Sequence, residues 1–82
     1  GRISLVWALP WSRARVRADL YDLDGRRVAE LMPEAATAGR GTRELALAGV
    51  PPGVYWVVLD ARADGEAARL AESQPLRVLG RP

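Results

Sequence analysis

Residues 16–31, VRADLYDLDGRRVAEL, contain two segments with alternating apolar residues on either side of an Asp-Gly pair. In the first segment, Val16, Ala18 and Leu20 fall on one face of an extended strand, since side chains alternate with a period of two. Asp24-Gly25 can supply the positive φ angles of a two-residue hairpin turn, after which the chain returns antiparallel. The stretch therefore predicts a β-hairpin.

The same pattern recurs along the whole chain, with Gly, Pro or Asp-Gly between short apolar blocks roughly every 8 to 12 residues. It predicts an all-β fold, a seven-stranded antiparallel Ig-like β-sandwich. Pro10 is expected to end the first strand, residues 33–41 are expected to be a loop, and a short helix over Gly65–Ser73 is the competing interpretation of that segment. The predicted strands are Ile3–Leu9, Arg15–Asp22, Arg27–Met32, Thr42–Leu47, Val54–Ala61, Ala67–Ala71 and Leu76–Leu79.

The predicted fifth strand, Val54–Ala61, is the most β-prone stretch and is apolar on both faces. A strand of this kind is normally central in its sheet or covered on both sides. We expect Tyr55, Val57 and Leu59 to lie in the core, which leaves Trp56 pointing outward.

Length and composition indicate one domain covering residues 1–82, with 49% hydrophobic and 27% charged residues. The chain begins at Gly1, and we interpret it as the C-terminal module of a larger secreted protein whose own N-terminus carries the export signal. No apolar run reaches the roughly 18 to 20 residues of a membrane span, so direct membrane insertion is not expected.

The residue types available exclude most reactive sites. Cysteine and histidine are absent, which removes thiolate nucleophiles and the usual general base near neutral pH. All twelve basic residues are arginine, balanced by ten carboxylates without a basic run, so nucleic-acid binding is not expected. The carboxylates Asp22, Asp24, Asp60 and Asp64 are candidate calcium ligands, and Asp22 with Asp24 is a candidate glycosidase pair, but turn and solvent roles are favoured. We predict no enzyme activity, no catalytic residue, no metal and no cofactor.

The three tryptophans are the most informative side chains for binding, because aromatic rings stack on sugars or anchor protein interfaces. For Trp7, a position in the core and a position on the surface are equally expected. Trp11 and Trp56 form a candidate exposed aromatic surface, and this keeps a carbohydrate-binding module open as an alternative function.

Three stretches, VRADLYDLDGRRVAEL, GTRELALAGVPPGVYWVVLDA and the final QPLRVLGRP, together resemble the C-terminal sorting domains (type A) of the bacterial type IX secretion system. That family pairs L-Y-D-x-x-G-R-x-V with L-x-x-L-P-x-G-V-Y-x-V-x-L and ends in a short basic strand. Arginine here replaces the usual terminal lysines. The matching framework positions are Leu20, Tyr21, Asp22, Gly25, Arg26, Val28, Leu47, Val50, Pro51, Gly53, Val54, Tyr55, Val57 and Leu59.

The resemblance implies a non-catalytic signal that directs a cargo protein across the outer membrane of a Gram-negative bacterium. It implies a transiently periplasmic and finally secreted or surface location. The implied partners are the type IX translocon, the components that process cargo at the surface, and the upstream cargo domains of the same chain. The signal and docking residues implied at the terminus are Arg77, Leu79 and Arg81.

Two related interpretations remain beside it. Flagellar hook-capping Ig-like domains share the D-x-x-G-R hairpin and the G-V-Y strand, but they usually carry a longer insert between them that this chain lacks. A carbohydrate-binding or purely structural Ig-like accessory module of a secreted hydrolase is the alternative function.

The positive φ expected at Gly25 leads to a testable prediction. A residue with a β-carbon is strained at positive φ, so Gly25→Val should lower the free energy of unfolding by roughly 1 kcal/mol or more. Thermal unfolding followed by circular dichroism measures this, and near-wild-type melting of the variant contradicts it.

Overall fold

The computed structural model describes residues 1–65 and 67–79. These residues form one antiparallel sheet of four strands in the order β2-β1-β3-β4. The strands are β1 (Arg2–Tyr21), β2 (Arg27–Ala46), β3 (Gly53–Ala63) and β4 (Arg69–Val78). The all-β prediction is confirmed, and within the described ranges no helix is present that could cross a membrane.

Seven separate strands in an Ig-like sandwich are not confirmed, because predicted strands merge into longer ones. The first two predicted strands lie within β1 apart from Asp22, the third and fourth lie largely within β2, and the last two lie largely within β4. Pro10 does not end β1, and residues 33–41, predicted as a loop, continue β2. Residues 69–73 of the competing helix belong to β4. Pairing with neighbouring strands overrides the local signals of proline, glycine and alanine.

The first strand is bent back on itself near its middle. A straight strand of 20 residues would be about 66 Å long, yet the longest dimension of the molecule is 46 Å. The ladder passes from Ala8 opposite Arg40 to Arg13 opposite Ala38. Residues 9–12 of β1 therefore face the single residue Gly39, and a bulge of this kind bends the strand that carries it.

This bend folds the N-terminal half of β1 over the rest of the sheet and encloses the core. Ile3 and Leu5 pack against a buried cluster of Leu20, Tyr55 and Val57, although Ile3 and Leu20 belong to the same strand. The predicted core positions in β3 are confirmed by this packing, and Trp56 points outward with 40% exposure. The second buried cluster contains Trp7, Ala14, Val16, Ala18, Met32, Leu45, Leu59 and Ala61.

Residues 23–25 form a three-residue loop between β1 and β2, closed by the pairing of Asp22 with Arg26. The predicted two-residue turn is therefore wrong. The N–H of Asp22 donates to the carbonyl of Arg26 at 2.9 Å, and the N–H of Gly25 donates to the carbonyl of Asp22 at 3.1 Å. Gly25 has φ 84°, whereas Asp24 does not adopt positive φ. A type I turn followed by a left-handed glycine gives this geometry. Oδ1 of Asp22 accepts the N–H groups of Asp24 and Arg26, both at 2.9 Å.

The bend generates a prediction at Gly39. A β-carbon there would lie well inside van der Waals contact with the carbonyl oxygen of Trp11, so one of the two strands must move. Gly39→Ala should therefore lower the free energy of unfolding by about 2–3 kcal/mol, measured by urea denaturation. Ala36→Val, at an exposed position of the same strand, is the control and should stay close to wild type. Equal stability of Gly39→Ala and wild type would show that this close approach does not hold the bend.

Candidate functional site

The candidate site is an exposed surface along β4, which is an edge strand of the sheet. The register places Arg77 opposite Val54 and Pro75 opposite Trp56, and residues directly opposite each other share one face of an antiparallel pair. Val54 is 43% exposed, and Leu79, which follows β4, is 76% exposed. We name Val54, Trp56, Pro75, Arg77 and Leu79 the terminal-strand surface.

The terminal-strand surface has the composition of a protein-binding patch. Tryptophan and arginine are the side chains most often found at the energetic centres of interfaces, and exposed apolar side chains that are contiguous mark interaction sites. Arg77 and Leu79, two of the three terminal residues implied by the resemblance, lie here together with the framework residue Val54. Arg81, the third, lies outside the described residues.

A groove of about 590 Å³ adjoins this surface at the end of the sheet. Its walls include the first residues of the chain, the turn at residues 47–50, and residues 76–79 of the terminal strand. The N–H of Val50 closes the turn by donating to the carbonyl of Leu47 at 3.1 Å, and the N–H of Leu47 donates to the carbonyl of Gly1 at 3.0 Å. The N-terminus and the turn are thus tied together beside the terminal strand.

Tyr55 ties the segment that follows this turn to β3. Its hydroxyl donates to the carbonyl oxygen of Pro51 at 2.6 Å, and the side chain is only 7% exposed. The framework motif that contains Pro51, Gly53 and Tyr55 therefore has a structural explanation, since it positions the strand that carries Val54 and Trp56.

The remaining framework residues include buried, half-buried and exposed side chains. Leu20, Val57 and Leu59 are buried. Arg26 is exposed beside the turn, and Val28 is 44% exposed on β2. Tyr21 is half-buried and is the register partner of Trp56 on β1, so it adjoins the terminal-strand surface.

The two tryptophans proposed as an aromatic platform do not lie together. Trp11 is half-buried at the bend and packs against the core, whereas Trp56 pairs with Tyr21. Residues 13–21 alone extend about 26 Å along β1, and this separates the two indoles. Trp7 is buried, and its Nε1 donates to the carbonyl of Ala38 at 3.4 Å.

The acidic residues considered as metal ligands lie at different ends of the sheet. Asp22 and Asp24 belong to the β1–β2 turn, and Asp64 belongs to the turn after β3. Across residues 1–65 and 67–79, no three acidic, histidine or cysteine side chains form a group that could hold a metal ion. The carboxylate of Asp22 has a structural role in the turn, where it accepts two backbone N–H groups.

One carboxylate on the outer face is buried and is neutralised by arginines. Asp19 is 4% exposed, and its Oδ2 lies 3.0 Å from Nε of Arg17 while its Oδ1 lies 3.4 Å from Nη1 of Arg27. The hydrogen bond and the charge of Asp19 raise the pKa of Arg17. The fold tolerates the burial of this carboxylate because it is paired with arginines and hydrogen-bonded.

Several members of the terminal-strand surface are recognisable in the sequence, but their proximity is not. The predicted strands divide β4 in two, so they give no register between Val54 and Arg77. The signal that could have shown it is the alternation of residues 75 and 77, which places both on one face of a continuous strand.

Comparison of the chain with protein-family models, with curated proteins and with solved structures finds no match.

The tyrosine contact generates a prediction. Tyr55→Phe removes the hydrogen bond to Pro51 and should lower the free energy of unfolding by about 1 kcal/mol, the usual net value of such a bond. Tyr21→Phe is the matched control, because within the described residues its hydroxyl makes no hydrogen bond. Chemical denaturation of both variants measures the difference. An equal loss in both variants would contradict a specific role for the Tyr55 hydroxyl.

Proposed function

We propose that this chain is a non-catalytic C-terminal sorting domain that directs a cargo protein across the bacterial outer membrane through the type IX secretion system. The observation that carries the proposal is the terminal-strand surface. β4 lies at the sheet edge, its Arg77 shares one exposed face with Val54 and Trp56, and Leu79 follows β4 and lines the adjoining groove together with Arg77.

The fold supports the finer part of the proposal, an Ig-like arrangement. The bent β1–β2 hairpin covers the inner face of β1 and β3, which is the role of a second layer in a sandwich. A tyrosine near the start of a strand whose hydroxyl bonds back to the backbone upstream is a hallmark of Ig-like domains, and Tyr55 makes such a bond to Pro51. We propose that the bent sheet is a reduced form of that sandwich.

The chemistry of the surface supports recognition by a protein. An edge strand offers backbone N–H and C=O groups to an added strand of a partner. Trp56 and Arg77 add an aromatic and a cationic anchor on the face beside that edge. The proposed partners are the translocon and the surface-processing components, with the cargo attached upstream and the final location outside the cell or on its surface.

A secretion assay tests this proposal. The chain is fused to the C-terminus of a reporter that carries an export signal, in a host with the type IX machinery. The wild-type fusion should reach the medium or the cell surface. Arg77→Glu and Leu79→Asp should each reduce the exported fraction at least about fivefold, because truncating or reversing an interface anchor costs about 1 kcal/mol or more.

Two matched substitutions away from the surface serve as controls. Arg43→Glu reverses an exposed arginine on β2, and Val6→Asp places a charge at a side chain that is 71% exposed on β1. Both should be exported like wild type. Periplasmic retention of the wild-type fusion, or normal export after deletion of residues 75–82, would overturn the proposal.

A further inference from the structure

A second feature of the outer face lies at the opposite end of the β1–β3 ladder from Trp56. It is a pocket of about 170 Å³ that is lined by residues from all four strands. The polar residues that line it are Arg15, Arg17, Glu34, Asp60, Arg62 and Arg69. The terminal-strand surface and this pocket share none of these residues.

Three of the arginines stand in one row across three adjacent strands. Arg15 on β1 is the register partner of Arg62 on β3, and Arg62 is the register partner of Arg69 on β4. Like charges directly opposite each other destabilise a sheet. A row of three arginines therefore destabilises the folded sheet. Neither turn formation nor core packing requires these arginines.

Glu34 offsets part of this repulsion and orients two of the guanidinium groups. Its Oε2 lies 3.1 Å from Nε of Arg15 and 3.0 Å from Nη2 of Arg62. The hydrogen bond from Arg15 and then the charge of Arg62 lower the pKa of Glu34, so the carboxylate is ionised at neutral pH. One oxygen atom thus holds two arginines side by side at the pocket.

Most guanidinium donors of the row are left over after this contact. A guanidinium has five N–H donors, and Glu34 accepts one from each of Arg15 and Arg62. Within residues 1–65 and 67–79, no carboxylate lies within salt-bridge distance of Arg69. The pocket is therefore rich in positively charged N–H donors, and three strands contribute them.

Among residues 1–65 and 67–79, the charge balance at the pocket is positive. Arg17 is engaged by Asp19 at 3.0 Å and by Glu30 at 3.7 Å, so its charge is matched outside the pocket. The three arginines of the row then face two carboxylates, Glu34 and Asp60. The excess is suited to an anion that accepts several charge-assisted hydrogen bonds at once.

We propose that this pocket binds a tetrahedral oxyanion, a phosphoryl or sulfuryl group, through the row of Arg15, Arg62 and Arg69. Guanidinium forks match the oxygen atoms of phosphate and bind them with charge-assisted hydrogen bonds. Donors that reach the group from three separate strands suit the several oxygens of a tetrahedral anion. Such binding would offset the like-charge repulsion along the row.

A titration with inorganic phosphate at constant ionic strength tests the proposal. Chloride is replaced by phosphate while the arginine Nε–Hε resonances of the isotope-labelled chain are followed by NMR. The resonances of Arg15, Arg62 and Arg69 should shift together and reach saturation, and sulfate should have the same effect. Glucose 6-phosphate in place of phosphate shows whether a sugar carrier adds to the affinity of the phosphoryl group.

Single substitutions assign the site. Arg62→Gln and Arg69→Gln should each weaken phosphate binding about tenfold, the size expected for a lost charge-assisted contact. Arg43→Gln removes an exposed arginine of β2 that does not line the pocket, and it should leave the affinity within about twofold. Should Arg62→Gln fail to fold, the exposed Arg69 decides the question.

Two results would overturn the inference. One is a phosphate response that does not saturate or that equals the response to chloride at the same ionic strength. The other is a loss of affinity in Arg43→Gln as large as that in Arg69→Gln, since this would show that overall charge and not the pocket attracts the anion. Neither result depends on secretion, so the proposed function is tested separately.

Discussion

The backbone of Trp11 approaches Gly39 closely at the bend of β1, and the core is enclosed because β1 bends there. Without a bend at that point, β1 and β2 would be a straight two-stranded ribbon of 20-residue strands with little to cover its apolar face. With the bend, Ile3, Leu5 and Trp7 reach the face formed by the second half of β1 and by β3. Because the chain has no cysteine, burial of this kind must supply the stability that small domains often obtain from disulfides.

The bend also decides what remains on the outer face. Since the N-terminal half of β1 covers only one side of the sheet, the other side is open to solvent and carries two chemically different ends. Trp56 and Arg77 lie at one end, and the row of arginines lies at the other. The paired carboxylate of Asp19 lies between them on β1. Both ends are positioned by one continuous hydrogen-bonded ladder, so their separation is set by strand register and not by flexible loops.

The candidate site was only partly predictable from sequence. Alternation correctly placed Tyr55 inside and Trp56 outside, because the two faces of a strand differ by a single residue step. The association of Arg77 with Val54, and of Arg15 with Arg62 and Arg69, depends on which residues oppose each other across strands. That information is absent from any one segment, since a shift of register by one residue would move each side chain to the opposite face.

The strand character, the inward and outward faces of β3, and the position of the first turn with its glycine at positive φ can be read from the amino-acid sequence. These features depend on residues close together along the chain, where the period of two and local hydrogen bonds such as those of Asp22 operate. Three features appear only in the folded chain. They are the merging of the predicted strands into four, the continuation of β1 through Pro10, and the position of the bend in the hairpin. These outcomes depend on contacts between distant residues, such as Trp11 with Gly39 and Ile3 with the cluster of Leu20, Tyr55 and Val57. The energy of these contacts outweighs the local preference of proline and glycine to interrupt a strand.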